Sequence, residues 1–179
     1  MKKILLAFDY GASSGRAIVG VYQDGRLNLD EVHRFGNDPV TIGDRFYWDT
    51  LRLFHEMKQG LRAARAKYGR IDAIGIDTWG VDYGLIGEDG NLLTNPIHYR
   101  DHRTVANREE VESVLSYEAM YERTGIAYWP FNTIYQLQAD RTMRPALFSL
   151  AKKLLFTPDL LAYFLTGVQR NEYTIASTG

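Results

Sequence analysis

Between Phe8 and Val19 the chain reads Phe-Asp-Tyr-Gly-Ala-Ser-Ser-Gly-Arg-Ala-Ile-Val, a tight turn caught between two strand-like runs. Backbone N–H groups of the turn, the hydroxyls of Ser13 and Ser14 and the guanidinium of Arg16 can all be presented to an oxyanion, with Asp9 beside them for a hydrated divalent cation. That is phosphate-handling chemistry. The simpler alternative is a plain β-hairpin whose Gly11 and Gly15 supply positive φ and whose serines satisfy the turn. A short glycine motif leaves both readings open.

The elements that would position this turn are legible in the pattern. Lys3–Phe8 is nearly continuous apolar, Ala17–Tyr22 is rich in β-branched residues, Asp24-Gly25 is a hairpin signal and Leu27–Phe35 partly alternates, which predicts a three-stranded antiparallel meander. From Trp48 the period changes. Leu51, Phe54, Met57, Leu61, Ala64 and Tyr68 recur at helical spacing, with Asp49 as N-cap and Gly69 as the stop. Ile71–Thr78 then reads as a strand buried on both faces, Val81–Ile86 as a second extended run and Asp89-Gly90 as a turn.

Beyond His98–Thr104 the pattern is mainly helical. A helix over Ser116–Arg123 stops at Gly125, and another opens at Thr133, which forms a capping-box pattern with Gln136. Lys153–Phe156 reads as a short strand, Thr157 as a cap and Pro158 as the first helical position, with an apolar stripe through Leu160, Leu161, Phe164 and Leu165 before Gly167. Residues 172–179 have strand and turn character without a closing element, so the chain is expected to be cut rather than finished.

Composition narrows the function classes. The 179 residues are 45% hydrophobic and 24% charged, the balance of a folded globular protein. Twenty-one basic and 22 acidic residues give a net charge of −1, so no global basic field draws the chain to nucleic acid or anionic lipid, and any anion site is local. The absence of cysteine excludes disulfides and thiolate metal sites. His33, His55, His98 and His102 lack metal-ligand spacing. The apolar run after Lys2-Lys3 ends at Asp9, too soon for a secretory leader, and no stretch approaches the roughly 20 apolar residues of a membrane span. A cytoplasmic protein without membrane or nucleic-acid partner is expected.

A meander, a helix and a buried strand, with Asp9 ending the first strand and Asp77 the fourth, describe an α/β ribonuclease-H-like (actin-like ATPase) domain: a mixed sheet with flanking helices. Two chemistries use adjacent strand-end acids there. One is metal-dependent nucleic-acid hydrolysis, in which carboxylates hold two ions about 4 Å apart. The other is phosphoryl transfer, in which the first hairpin wraps the nucleotide phosphates. A Gly-x-Ser-Ser-Gly-Arg turn favours the second, because a kinase must align and neutralise phosphates that a nuclease leaves to its metals.

Four segments carry a resemblance. Asp9–Arg16, Gly75–Asp82 (Gly-Ile-Asp-Thr-Trp-Gly-Val-Asp), Tyr99–Thr104 and Pro130–Leu137, in this order, resemble the N-terminal part of the FGGY family of carbohydrate kinases, in its L-rhamnulose-phosphorylating branch. The resemblance implies transfer of the ATP γ-phosphoryl group to the 1-hydroxyl of L-rhamnulose, with Mg2+, in a cleft between two actin-like domains. Residues 1–179 would then be an incomplete first, sugar-binding domain, with the adenine-binding domain and the catalytic base, an aspartate, beyond Gly179. On this basis the isolated chain is expected to be inactive. A non-catalytic sugar- or phosphate-binding lobe is the alternative of a different class.

The same resemblance implies roles for particular residues. Ala12, Ser13, Ser14, Gly15 and Arg16 would contact the nucleotide phosphates, Asp9 would hold magnesium through water and Asp77 is a second candidate near the metal. Gly80 would let its backbone approach the sugar, with Trp79 and Asp82 shaping the pocket and Asp101, Asn132 and Tyr135 adjoining it. Each has an ordinary reading beside it. Arg16 is then a surface strand residue, Trp79 a core aromatic, Asp77 a loop hydrogen-bond acceptor, Asp101 part of a solvated charge run with Arg100 and Arg103, and the segment from Asn132 a capped helix start.

Overall fold

The computed structural model describes residues 1–178. The first three strands, β1 (Lys3–Tyr10), β2 (Ser14–Gln23) and β3 (Arg26–Gly36), form the meander, and a small hairpin of β4 (Val40–Ile42) and β5 (Arg45–Tyr47) leads into helix α1 (Thr50–Tyr68). Strand β6 (Ala73–Asp77) returns parallel to β1, giving the sheet order β3-β2-β1-β6. A second ladder, β7 (Tyr83–Ile86) against β8 (Lys153–Phe156), is bracketed by α2 (Arg108–Glu112), α3 (Tyr117–Thr124), α4 (Thr133–Met143), α5 (Pro145–Leu150), α6 (Thr157–Thr166) and α7 (Tyr173–Ala176).

Alternation builds the core. Ile4, Leu6, Phe8 and Tyr10 point to one face of β1, each no more than 2% exposed, and meet Leu53, Met57 and Ala64 of α1 and Leu161 of α6. Burial of each large side chain contributes about 1.5–3 kcal/mol. The close approach of α1 to the sheet depends on Gly60, where a Cβ would stand 2.7 Å from that of Ala17. The helix begins at Asp49, whose carboxylate accepts from Arg52 N–H at 3.1 Å, and stops at Gly69 with φ +77°. Asp24 (φ +53°) and Gly25 (φ +75°) make the β2–β3 turn with both residues left-handed, as a two-residue hairpin requires.

Five expectations need correction. Strand β6 is not buried on both faces: it is the outer strand, with β1 on one side only, and Ile74 is 45% exposed. The following extended run begins at Tyr83 rather than Val81, because Val81 takes φ +65° and breaks the strand. Thr133 and Gln136 do not form a capping box. Asn132 is the N-cap residue of α4, and both side chains reach instead to the carbonyl of Val81. Thr157 likewise spends its hydroxyl on Asp82 O, with Phe156 in the cap position of α6. Residues 173–176 are helical rather than extended, since the carboxylate of Glu172 accepts from Thr174 N–H and Ile175 N–H and opens a short turn of helix.

Candidate active site

Ladder register gathers the charged groups of the first hairpin. Asp9 stands opposite Arg16 on β2 and opposite Asp77 on β6, and Arg16 stands opposite Arg34 on β3. Opposed residues share a face, so Arg34, Arg16, Asp9 and Asp77 form one row across four strands on the side away from α1. Arg34 is held by Glu31 through Nε at 2.8 Å. Arg16 is less engaged: its Nε lies 3.1 Å from Asp9 Oδ2, at an angle that leaves this solvent-shielded nitrogen without a hydrogen bond.

The turn between β1 and β2 is closed by Gly11 N–H donating to Ser14 O at 2.9 Å. Asn37 grips it from the far side, its own N–H donating to Ser13 O at 3.1 Å and its Nδ2 to Gly11 O at 2.9 Å. Among the described residues, the N–H groups of Ala12 and Ser13 and the hydroxyls of Ser13 and Ser14 have no partner. Gly11 and Gly15 do not have positive φ, so that rationale for the glycines fails. Gly15 is required for space instead, because a Cβ there would lie 2.2 Å from Cζ of Phe35.

Five residues past Asp77 the chain reaches Asp82, which is wholly inaccessible and organises a buried centre. Its Oδ2 accepts from Trp48 Nε1 at 2.6 Å, Trp79 Nε1 at 3.0 Å and Tyr99 N–H at 3.1 Å, and its Oδ1 from Gln136 Nε2 at 2.8 Å. Burial pushes its carboxyl up to about 6, against the pull of the Trp48 and Gln136 donors. The two indoles stack at 3.8 Å, and His98 continues the stack at 3.9 Å from Trp48 and 4.5 Å from Phe46. His98 is pushed down to about 4 by burial and by Arg100, and its Nδ1 accepts from Arg100 N–H.

The other expected residues fall in three places. Gly80 lies beside Trp79, where a Cβ would come within 3.1 Å of Thr178 Oγ1, so the space at Gly80 adjoins the end of α7. Asp101 is buried with both oxygens engaged: Oδ2 accepts from Phe46 N–H at 2.8 Å and Oδ1 from Arg103 N–H at 2.9 Å. Asn132 donates to Ala127 O, and Tyr135 packs edge-on to Tyr128; together they line an apolar cavity of about 170 Å³ with Leu115, Met120 and Ile126, and neither Trp79 nor Gly80 borders it.

Trp48 and His98 complete the ring stack and were absent from the expected site. A tryptophan just before a helix cap and a histidine in a loop give no signal of meeting 50 residues apart in sequence. Arg103 belongs to the charge run beside Asp101 and is itself buried. In the fold its Nη2 donates to Gln136 Oε1 at 2.8 Å and its Nε lies 3.6 Å from Asp140, whose Oδ2 accepts from Tyr83 OH at 2.7 Å.

Residues 4–179 match the FGGY family of carbohydrate kinases, N-terminal domain. The chain belongs to that family. It is 45% identical over 178 residues to a rhamnulokinase of Bacteroides thetaiotaomicron, a match covering 99% of this chain and 37% of the relative. A rhamnulokinase of Bacillus subtilis is 42% identical over 176 residues, 98% of this chain and 36% of that protein. The chain thus spans little more than a third of the length of the curated relatives it matches. Its fold is that of solved FGGY kinases: gluconate kinase from Lactobacillus acidophilus superposes with a TM-score of 0.86 at 20% identity over 99% of this chain and 36% of the neighbour. Xylulose kinase from Rhodospirillum rubrum gives 0.86 at 18% identity, over 99% and 37% of the two chains. The actin-like α/β class expected from the element order is therefore the observed one.

Proposed function

We propose that this domain is the sugar-carrying half of an ATP-dependent kinase that phosphorylates L-rhamnulose at its 1-hydroxyl. The observation that carries the reading is the continuity of one row and one loop. Arg16, Asp9 and Asp77 lie side by side at the strand ends, and the chain leaves Asp77 directly into Thr78-Trp79-Gly80. A phosphate grip and a sugar-facing loop on adjoining strand ends suit in-line transfer, which needs both reactants held in one geometry. The relatives are rhamnulokinases, and the ketose is inferred from them.

The residues present suit a nucleotide with its metal. Unpartnered amides at Ala12 and Ser13 and the half-exposed guanidinium of Arg16 fit phosphate oxygens. Asp9 and Asp77 offer two neighbouring carboxylates, a donor set for magnesium that keeps several waters. When bound, the ion would neutralise phosphate charge; the chain's part is to place Arg16 and the turn amides around it. Nuclease chemistry with two metals needs more carboxylates in one place, and no group of three or more His, Cys, Asp or Glu side chains gathers among the described residues.

On this reading Trp79 gives the sugar an aromatic wall, Gly80 an approach to backbone, and Asp82 holds Trp79 rather than the ligand. The catalytic base and the adenine site belong to the remaining length of the relatives, and residues 1–179 bind without turning over. Calorimetry of the purified chain with L-rhamnulose, beside a coupled ADP-release assay, tests this. Saturable sugar binding without ADP release is expected. Robust sugar-dependent turnover, or no heat at millimolar sugar, overturns it.

A further inference from the structure

The first hairpin is held by a residue that belongs to neither of its strands. Asn37 follows β3 and is 4% exposed. Its N–H donates to Ser13 O at 3.1 Å, adding one rung beyond the Ser14 and Gly36 pair, while its Nδ2 donates to Gly11 O at 2.9 Å. In an ordinary closed two-residue hairpin the last pair exchanges two bonds. Here Gly11 N–H reaches Ser14 O at 2.9 Å, but the acceptor on Gly11 is occupied by the Asn37 side chain instead of by Ser14 N–H.

The consequence follows from peptide planarity. The carbonyl of Gly11 and the N–H of Ala12 lie on one planar trans unit and point in opposite directions. Holding Gly11 O toward Asn37 therefore aims Ala12 N–H away from it, to the side where that amide has no protein partner. Alanine at 37 would free this peptide to rotate, and the turn would keep its strands while losing the set of its amides.

We propose that Asn37 is a positioning residue for phosphate binding, acting through the Gly11–Ala12 peptide. The proposal rests on reading the hairpin as a phosphate grip. It assigns Asn37 no contact with the ligand and no role in holding the sugar.

The test is a pair of titrations on the isotope-labelled 179-residue chain, with magnesium tripolyphosphate as the phosphate probe and L-rhamnulose as the sugar probe, followed at each backbone amide by NMR. In the unaltered chain the Ala12 and Ser13 resonances should shift saturably with tripolyphosphate. Asn37→Ala and the volume-keeping Asn37→Leu should each raise its half-saturating concentration about tenfold, the order of one lost hydrogen bond, with sugar binding unchanged within about twofold. Equal phosphate affinity in the variants, or equal weakening of both probes, overturns the role of Asn37. Absence of any shift at Ala12 and Ser13 in the unaltered chain overturns the phosphate reading itself, and the inference with it. If both variants fold poorly, exchange of the Asn37 side-chain amide protons in the unaltered chain decides. Slowing of about tenfold at saturating tripolyphosphate supports the clamp, and an unchanged rate removes it.

Discussion

The two halves of the candidate site are built in opposite ways. Around Asp82 every expected ligand-facing group is already engaged: one carboxylate takes four hydrogen bonds, and four rings stack behind it. The Asp9–Arg16 hairpin keeps the Ala12 and Ser13 amides and the hydroxyls of Ser13 and Ser14 without a partner among the described residues. On the proposed function the contrast separates two tasks. A group that must meet a charged ligand is left with bonding capacity, and a group that must hold a wall in place spends all of it.

The sharpest break of that contrast is Asp82→Ala. It strands two indole N–H groups and the Tyr99 N–H, while the Gln136 amide keeps the carbonyls of Val81 and Phe131, and unsatisfied donors of this kind cost about 1–3 kcal/mol each before relaxation. A loss of about 4 kcal/mol in urea-unfolding free energy is expected, with loss of the near-ultraviolet signal from the stacked tryptophans. A variant within about 1 kcal/mol of the parent would mean that the centre is not organised by this carboxylate.

Next in size is a pH effect hidden by cancellation. Asp82 has its folded pKa raised from 3.8 to about 6, so between those values the folded state holds a proton that the unfolded state has lost, and stability falls as pH rises. His98 is depressed from 6.5 to about 4, so in nearly the same window the unfolded state holds the extra proton and stability rises with pH. Each shift corresponds to roughly 3 kcal/mol, and the two oppose. The unaltered chain should show a flat stability profile between pH 4 and 6 from this pair. Asp82→Asn should uncover a rise with pH, and His98→Gln a fall. Parallel profiles in all three chains would dissolve the coupling.

How much of this was readable in the sequence follows from the same contrast. The hairpin was legible because its chemistry is local: Asp9, Ser13, Ser14 and Arg16 lie within eight residues, and the sheet only fixes their register. The meander, the long helix and its caps at Asp49 and Gly69 were legible for the same reason. The Asp82 centre joins Trp48, Trp79, His98, Tyr99, Arg103 and Gln136 across 89 positions, and no periodicity records such a meeting. Thr133, Gln136 and Thr157 were misread as caps because the loop at Val81 and Asp82, which takes their hydrogen bonds, is supplied by the tertiary fold. Strand β6 looked doubly buried because Ile-x-x-Ile-x-Ile is the pattern of an inner strand, whereas here it has a neighbour on one side only.

Gly15→Ala sharpens the comparison from the packing side. The added methyl would stand 2.2 Å from the Phe35 ring, which is 9% exposed and meets Tyr10 edge-on at 5.1 Å, so the ring has little freedom to withdraw. A destabilisation of about 2 kcal/mol is expected, as for other overpacked sites. Combining it with Phe35→Leu should recover part of that loss. Strict additivity of the two changes would show that the ring is not what the methyl meets.

The smallest stability effect should come from the residue with the largest expected ligand effect. Arg16 and Asp9 are 36% and 45% exposed in their side chains, and a half-exposed ion pair contributes little because water and salt screen it. Arg16→Ala should therefore change unfolding free energy by no more than about 0.5 kcal/mol. Its affinity for magnesium tripolyphosphate should nonetheless fall about tenfold or more, the order of a charge-assisted hydrogen bond, while L-rhamnulose affinity stays put. A stability loss comparable to that of Asp82→Ala would place Arg16 among the structural groups, and the division between an engaged wall and an unengaged grip would fail at the residue that defines it.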